Sequence, residues 1–130
     1  MASIINASPS NGIVQTADGS GVLKCQANGV TTNALAWVNF NGSTAAIRAS
    51  YNVSSVTRSS TGLYLINFAT ATSDANYTLS ATATAYSGTG YIAVLGPSTT
   101  QTTSAVQMTV ANFSGTNNDV AYVTATIFGN

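Results

Sequence analysis

The chain has 130 residues and carries six charged side chains, the cations Lys24, Arg48 and Arg58 and the anions Asp18, Asp74 and Asp119, for a net charge of zero. Only 5% of it is charged, against about 25% in a typical soluble domain, and it has no Glu and no His. That balance argues against acid–base catalysis near neutral pH, against the cationic footprint that binds nucleic acid, and against a basic helix lying on a membrane.

The polarity is neutral instead: Ser, Thr and Asn make up roughly 38% of the residues. No apolar run approaches the length that spans a bilayer, and MASIINASPS has neither a basic start nor an apolar stretch, so neither membrane insertion nor a signal peptide is expected. Five Asn-x-Ser/Thr sequons begin at Asn6, Asn41, Asn52, Asn76 and Asn112, a number that chance alone supplies in so Asn-, Ser- and Thr-rich a chain. The lone Cys25 forms neither an internal disulfide nor a zinc cluster and reads as a small buried or half-buried hydrophobe.

In chain order, residues 1–33 hold isolated apolar pairs, Ile4-Ile5, Ile13-Val14 and Val22-Leu23, set among Ser, Asn, Gly and Asp. So thin a pattern suits either an N-terminal arm docking on another chain or an ordinary first hairpin. From Ala34 to Asn130 the pattern changes to period-two alternation, with no stretch keeping a helical stripe. The clearest strands are Tyr77 to Ala85, with Tyr77, Leu79 and three Ala on one face, and Ser104 to Ala111, with Val106, Met108 and Val110 together. A last strand puts Ala121, Val123, Ala125 and Ile127 on one face and Tyr122, Thr124, Thr126 and Phe128 on the other. Turn formers separate the runs: Asn28-Gly29 and Asn41-Gly42 as hairpin turns with positive φ, then Ser59 to Gly62, Ser87 to Gly90, Gly96-Pro97 and Ser114 to Asn118. This spacing predicts an all-β, antiparallel sandwich or jelly-roll-like domain of about eight strands over residues 34–130, preceded by the arm.

Ala and Val dominate the facing positions, so the sheets are expected to approach closely. Most of the large rings, Trp37, Phe40, Tyr51, Tyr64, Phe68, Tyr77, Tyr91, Phe113, Tyr122 and Phe128, read as core or cross-strand partners. Arg48 lies inside an apparent strand, where it is either on the solvent face or paired with Asp74. Asp18, Asp74 and Asp119 sit in turn-like settings that explain them without catalysis, and no catalytic residue, cofactor or metal site is assigned. Asn117-Asn118-Asp119, or Asp74 with Asn76, could offer oxygens to a calcium ion but match no complete loop motif. A sugar-binding reading uses Tyr86, Tyr91, Asn117 and Asn118 at loop tips as host-glycan contacts.

The linked blocks ALAWVNFNG (Ala34 to Gly42), AIRASYNVSSVTRSSTGLYLINF (Ala46 to Phe68) and SDANYTL (Ser73 to Leu79), with the ending VAYVTATIFGN, resemble a module of bacteriophage virion proteins of the tail-fibre and head-decoration type. Arg58 to Gly62 replaces an Asp-Asn-Gly type of turn in that module, Leu63 stands where Asp is common and Ser73 where Pro is common, so ligand contacts in those loops are not transferred. The resemblance implies a non-enzymatic virion component, commonly a homotrimer, at the particle surface after synthesis in the host cytoplasm. With no heptads or shaft repeats, the expectation is a capsid decoration or cement protein attached by the apolar pairs of residues 1–33 to other phage structural proteins. Two alternatives stand beside it: a short tail-fibre or knob module touching the host cell surface, and a carbohydrate-binding module.

Overall fold

The alternation along the chain becomes the inner faces of two stacked sheets. The computed structural model describes residues 25–27, 30–84, 90–95 and 101–129. A short hairpin, β1 (Gln26–Ala27) with β2 (Val30–Thr31), precedes eight strands: β3 (Ala36–Phe40), β4 (Ile47–Tyr51), β5 (Val53–Ser60), β6 (Leu63–Phe68), β7 (Thr78–Ala83), β8 (Tyr91–Leu95), β9 (Ala105–Asn112) and β10 (Val123–Phe128). No helix occurs among the described residues. The eight strands form two antiparallel sheets in the orders β4-β3-β10-β7 and β5-β6-β9-β8, an all-β sandwich.

Register carries the pattern across strands. Val123, Ala125 and Ile127 of β10 lie opposite Phe40, Val38 and Ala36 on one side and Ala83, Ala81 and Leu79 on the other. One continuous apolar row therefore faces Tyr64, Ile66, Val106, Met108 and Val110 of the second sheet. Burying a side chain such as Ile66 or Ile127 contributes about 1.5–3 kcal/mol. Among the small residues, two aromatic pairs supply the bulk. Phe40 meets Tyr64 edge-on with centroids 5.0 Å apart, and Phe68 meets Tyr77 at 5.6 Å.

The same parity divides the large rings between the core and cross-strand positions, where Trp37 stands opposite Tyr51. Phe40, Tyr64, Phe68 and Tyr77 are in the core and Tyr91 packs against it. Trp37 and Phe128, however, are each 39% exposed, because Ala36, Val38 and Ile127 take the inner positions beside them. Tyr122 is also exposed, and Phe113 is 77% exposed beyond the end of β9.

Turns depart from expectation in an instructive way. Asn41 and Gly42 do not form a two-residue turn. The β3–β4 link runs to Ala46, whose carbonyl accepts from the Asn41 N–H at 2.9 Å, and the residue at positive φ is Ala45 (58°). Gly42 is needed for space: a Cβ there would sit 2.6 Å from the Val120 carbonyl oxygen and 2.7 Å from the Tyr64 hydroxyl. Gly62 is the turn glycine, at φ +67°, and β5 runs up to Ser60 so that Thr61-Gly62 alone closes that hairpin. Residues 28–29, 85–89 and 96–100, where three further turns were expected, lie outside the described residues, although the flanking Ala27 and Val30 do pair.

One residue carries the chain from one sheet to the other. Asn52 lies between β4 and β5 at φ 53°. Its Oδ1 accepts from the Thr70 N–H at 2.7 Å, and its Nδ2 donates to the carbonyls of Leu35 at 3.0 Å and Thr70 at 3.1 Å. Asn tolerates the left-handed conformation better than most residues, and its short amide replaces missing backbone partners. Asn52→Ala is expected to lower unfolding free energy by about 2–3 kcal/mol, through the lost hydrogen bonds and a methyl at positive φ, measured as a shift of the urea midpoint at constant m.

Candidate functional site

With so few charges, the places where charge is spent mark the places that matter. Asp119 follows β9 in the loop of residues 113–122, and its carboxylate faces the β5–β6 hairpin. Its Oδ2 accepts from Arg58 Nη2 at 2.6 Å and Nε at 2.9 Å, and its Oδ1 accepts from the Gly62 N–H at 2.9 Å and the Tyr64 hydroxyl at 2.8 Å. The Arg58 hydrogen bonds, aided by those of Gly62 and Tyr64, hold the carboxyl below its ordinary value of 3.8 despite partial burial. Asp119 in turn raises Arg58. Burial first, then the bond to Asp119, raises the Tyr64 phenol well above its usual range. A carboxylate so saturated is a structural acceptor, with no free lone pair aimed at a substrate or cation.

The rest of the same loop is anchored residue by residue. The Val120 carbonyl accepts from the Gly42 N–H, the Ala121 carbonyl from Arg48 Nη2 at 2.7 Å, and the Tyr122 carbonyl from the Thr84 N–H at 3.0 Å. Arg48 is on the solvent face. Its guanidinium carbon stands 4.2 Å from the centroid of Tyr122, and Nη1 reaches Asn39 Oδ1 at 3.4 Å. The alternative pairing with Asp74 is not formed, because Asp74 closes its own turn, accepting from the Asn76 N–H at 2.7 Å. Nor does Asp119 join Asn117 and Asn118 in an oxygen cluster; it turns to Arg58. Among the described residues no group of three or more His, Cys, Asp or Glu comes together.

The sugar-contact residues are placed as follows. Tyr86 lies outside the described residues. Tyr91 opens β8 opposite Asn112, half-buried against the core. Asn117 is exposed and bridges Ala111 through its backbone, one register step from Asn112. Asn118 is half-buried, its N–H bonded to the Val110 carbonyl at 3.0 Å and its side chain to the Thr116 carbonyl at 2.8 Å. The docking residues Ile4, Ile5, Ile13, Val14, Val22 and Leu23 lie outside the described residues. Cys25 is exposed rather than buried; its backbone, not its thiol, is held, by Asn33 and Thr32. Three of the sequon asparagines, Asn41, Asn52 and Asn112, spend their side-chain oxygens on turn N–H groups.

A feature not expected from the sequence is the outer face of the β4-β3-β10-β7 sheet. Tyr51 stands directly opposite Trp37, Thr126 follows on β10, and Phe128 is two residues further along the same face. Around them lie Asn39, Thr124, Thr82, Ser80 and Thr78, all uncharged. The signal was present as parity: in AWVNF, once Ala36, Val38 and Phe40 point inward, Trp37 and Asn39 must point out.

No protein-family model matches the chain, and neither the curated proteins nor the solved structures contain a match to it.

The ion pair has an acid signature. Because the folded Asp119 titrates below 3.8, its contribution is fully present above that pH and is lost as pH falls through the lower folded value. The melting-temperature gap between wild type and Asp119→Asn should therefore be constant from neutrality down to about pH 4 and close below it. At neutral pH, Asp119→Ala should cost about 2 kcal/mol, since the wholly buried Tyr64 is left with an unpaired hydroxyl.

Proposed function

We propose that the chain is a non-enzymatic surface protein of a bacteriophage virion, decorating the capsid as a homotrimer. The observation that carries this reading is how the charges are used. Every charged side chain among the described residues is tied into the scaffold: Arg58 with Asp119, Arg48 with Tyr122 and the Ala121 carbonyl, Asp74 within its own turn. None converges with another on an open cleft of the kind a reaction needs.

What remains for solvent is a neutral coat of hydroxyls and amides on a two-sheet scaffold. Such a surface changes little with salt or with pH between the carboxylate and phenol ranges. A zero net charge favours association over free dispersal, which suits a protein held in a lattice. The linked blocks that resemble virion modules support the same assignment. They fall on structural positions: Gly42 beneath the Tyr64 hydroxyl, Asn52 at the sheet crossing, and Tyr77, whose hydroxyl donates to the carbonyls of Thr102 and Ala105.

In this reading the sandwich projects from the particle and the arm of residues 1–33 attaches it. Quantitative mass spectrometry of purified particles should find copies in the hundreds, as lattice axes supply; about a dozen or fewer would make it a tail component instead. Removing residues 1–30 should release the protein from the particle while circular dichroism shows the sandwich still folded.

A further inference from the structure

We propose that Asn41-Gly42 is a latent deamidation site, held unreactive in the folded chain by the hydrogen bond from the Gly42 N–H to the Val120 carbonyl. The reaction needs no enzyme and involves no oxidation or reduction. The Gly42 nitrogen loses its proton to solvent base and bonds to Asn41 Cγ. The Cγ–Nδ2 bond breaks, ammonia leaves after taking up a proton, and a succinimide ring remains. Water then opens the ring, at Cγ to give Asp or at the main-chain carbonyl to give isoaspartate. Glycine is the following residue that most favours ring closure, because no side chain crowds its nitrogen.

The geometry treats the two reacting groups differently. Asn41 is half-buried, and its Oδ1 accepts from the Ser43 N–H at 2.9 Å, which polarises the carbonyl whose carbon is attacked. The nucleophile is the restrained partner. Gly42 is buried, and its N–H is bonded to the Val120 carbonyl at 2.9 Å. Its backbone also has no room to turn: the place of a Cβ lies 2.6 Å from the Val120 carbonyl oxygen and 2.7 Å from the Tyr64 hydroxyl. Bringing the nitrogen onto Asn41 Cγ therefore requires Val120 to move away. Asp119 holds both obstacles in place, since Val120 follows it in the chain and the Tyr64 hydroxyl donates to it at 2.8 Å. The Asn41 N–H is meanwhile bonded to the Ala46 carbonyl at 2.9 Å, so the β3–β4 link is closed on itself and the opening falls to the Val120 side. The rate at Asn41 is then the rate in the unfolded chain multiplied by the fraction of time the Val120 contact is open. Isoaspartate would insert a backbone methylene just before Gly42, where the packing leaves no space.

Peptide mapping by mass spectrometry separates Asn41-Gly42 from the other such pair, Asn28-Gly29, and follows each during incubation at neutral pH. In native wild type, deamidation at Asn41 should be at least about 100-fold slower than in the same chain unfolded in urea. Asp119→Ala should speed it by about 10-fold. Asn52→Ala, which loosens the sandwich at the far end of β3 through Leu35, should leave it unchanged. Equal acceleration by both substitutions would make unfolding of the whole domain the gate and overturn the role given to Val120. Native wild type reacting as fast as the unfolded chain would overturn the proposal outright. If Asp119→Ala does not fold, hydrogen exchange of the Gly42 amide in wild type decides: its protection factor should match the factor by which Asn41 is slowed. A Gly42 amide that exchanges freely while Asn41 stays unreacted would show that the Val120 bond is not what holds the site.

Discussion

One carboxylate pins the loop by which the chain crosses from one sheet to the other. The sheets of this sandwich touch through apolar side chains, and such contacts are non-directional: they press the layers together without fixing how the loops cross between them. Asp119 supplies the direction. By accepting from Arg58, from the Gly62 N–H and from Tyr64 it ties the β9–β10 crossing to the β5–β6 hairpin and to the centre of the core at once. Gly42 then becomes obligatory, because the β3–β4 link passes over the Tyr64 hydroxyl with no room for a side chain. The carbonyls of Val120, Ala121 and Tyr122 follow in sequence, each bound by a group on a different element. A pair with one partly exposed end would contribute little by itself. Its weight here comes from the buried hydroxyl and the turn amide that share the same two oxygens.

That arrangement bears on function through what it uses up. A protein with four described charges could have gathered them into a pocket. Instead each completes a turn, a crossing or an aromatic contact. The proposed role in a particle coat follows from this economy.

Much of the architecture was legible in the sequence because it depends on local rules. Period-two alternation placed Leu79, Ala81 and Ala83, Val106, Met108 and Val110, and Val123, Ala125 and Ile127 inward, since a strand's parity leaves no choice; Ala121, expected on the same face as Val123, lies before β10 and is exposed. What escaped was whatever depends on distant parts of the chain. Asn41-Gly42 has the composition of a two-residue turn, yet Gly42 answers to Val120 and Tyr64 far along the sequence. Arg58 and Asp119 are 61 residues apart, and nothing local announces that they meet. Trp37 reads as either a core ring or a cross-strand partner; the parity of Ala36 and Val38 turns it outward, opposite Tyr51. Of the proposed sugar contacts, Tyr91 and Asn117 do come to the same end of β9, but Asn118 is engaged by Thr116.

The two poles of the sandwich are fastened by different chemistry. At one pole the crossing is pinned by an ion pair; at the other, neutral amides do the fastening, Asn52 between Leu35 and Thr70 and Gln101 Nε2 on the carbonyls of Ala75 and Tyr77. Strong acid removes the first fastening and leaves the second intact. The two ends of one small sandwich therefore answer differently to acid: the Asp119 contacts depend on an ionised carboxylate, whereas those of Asn52 and Gln101 do not.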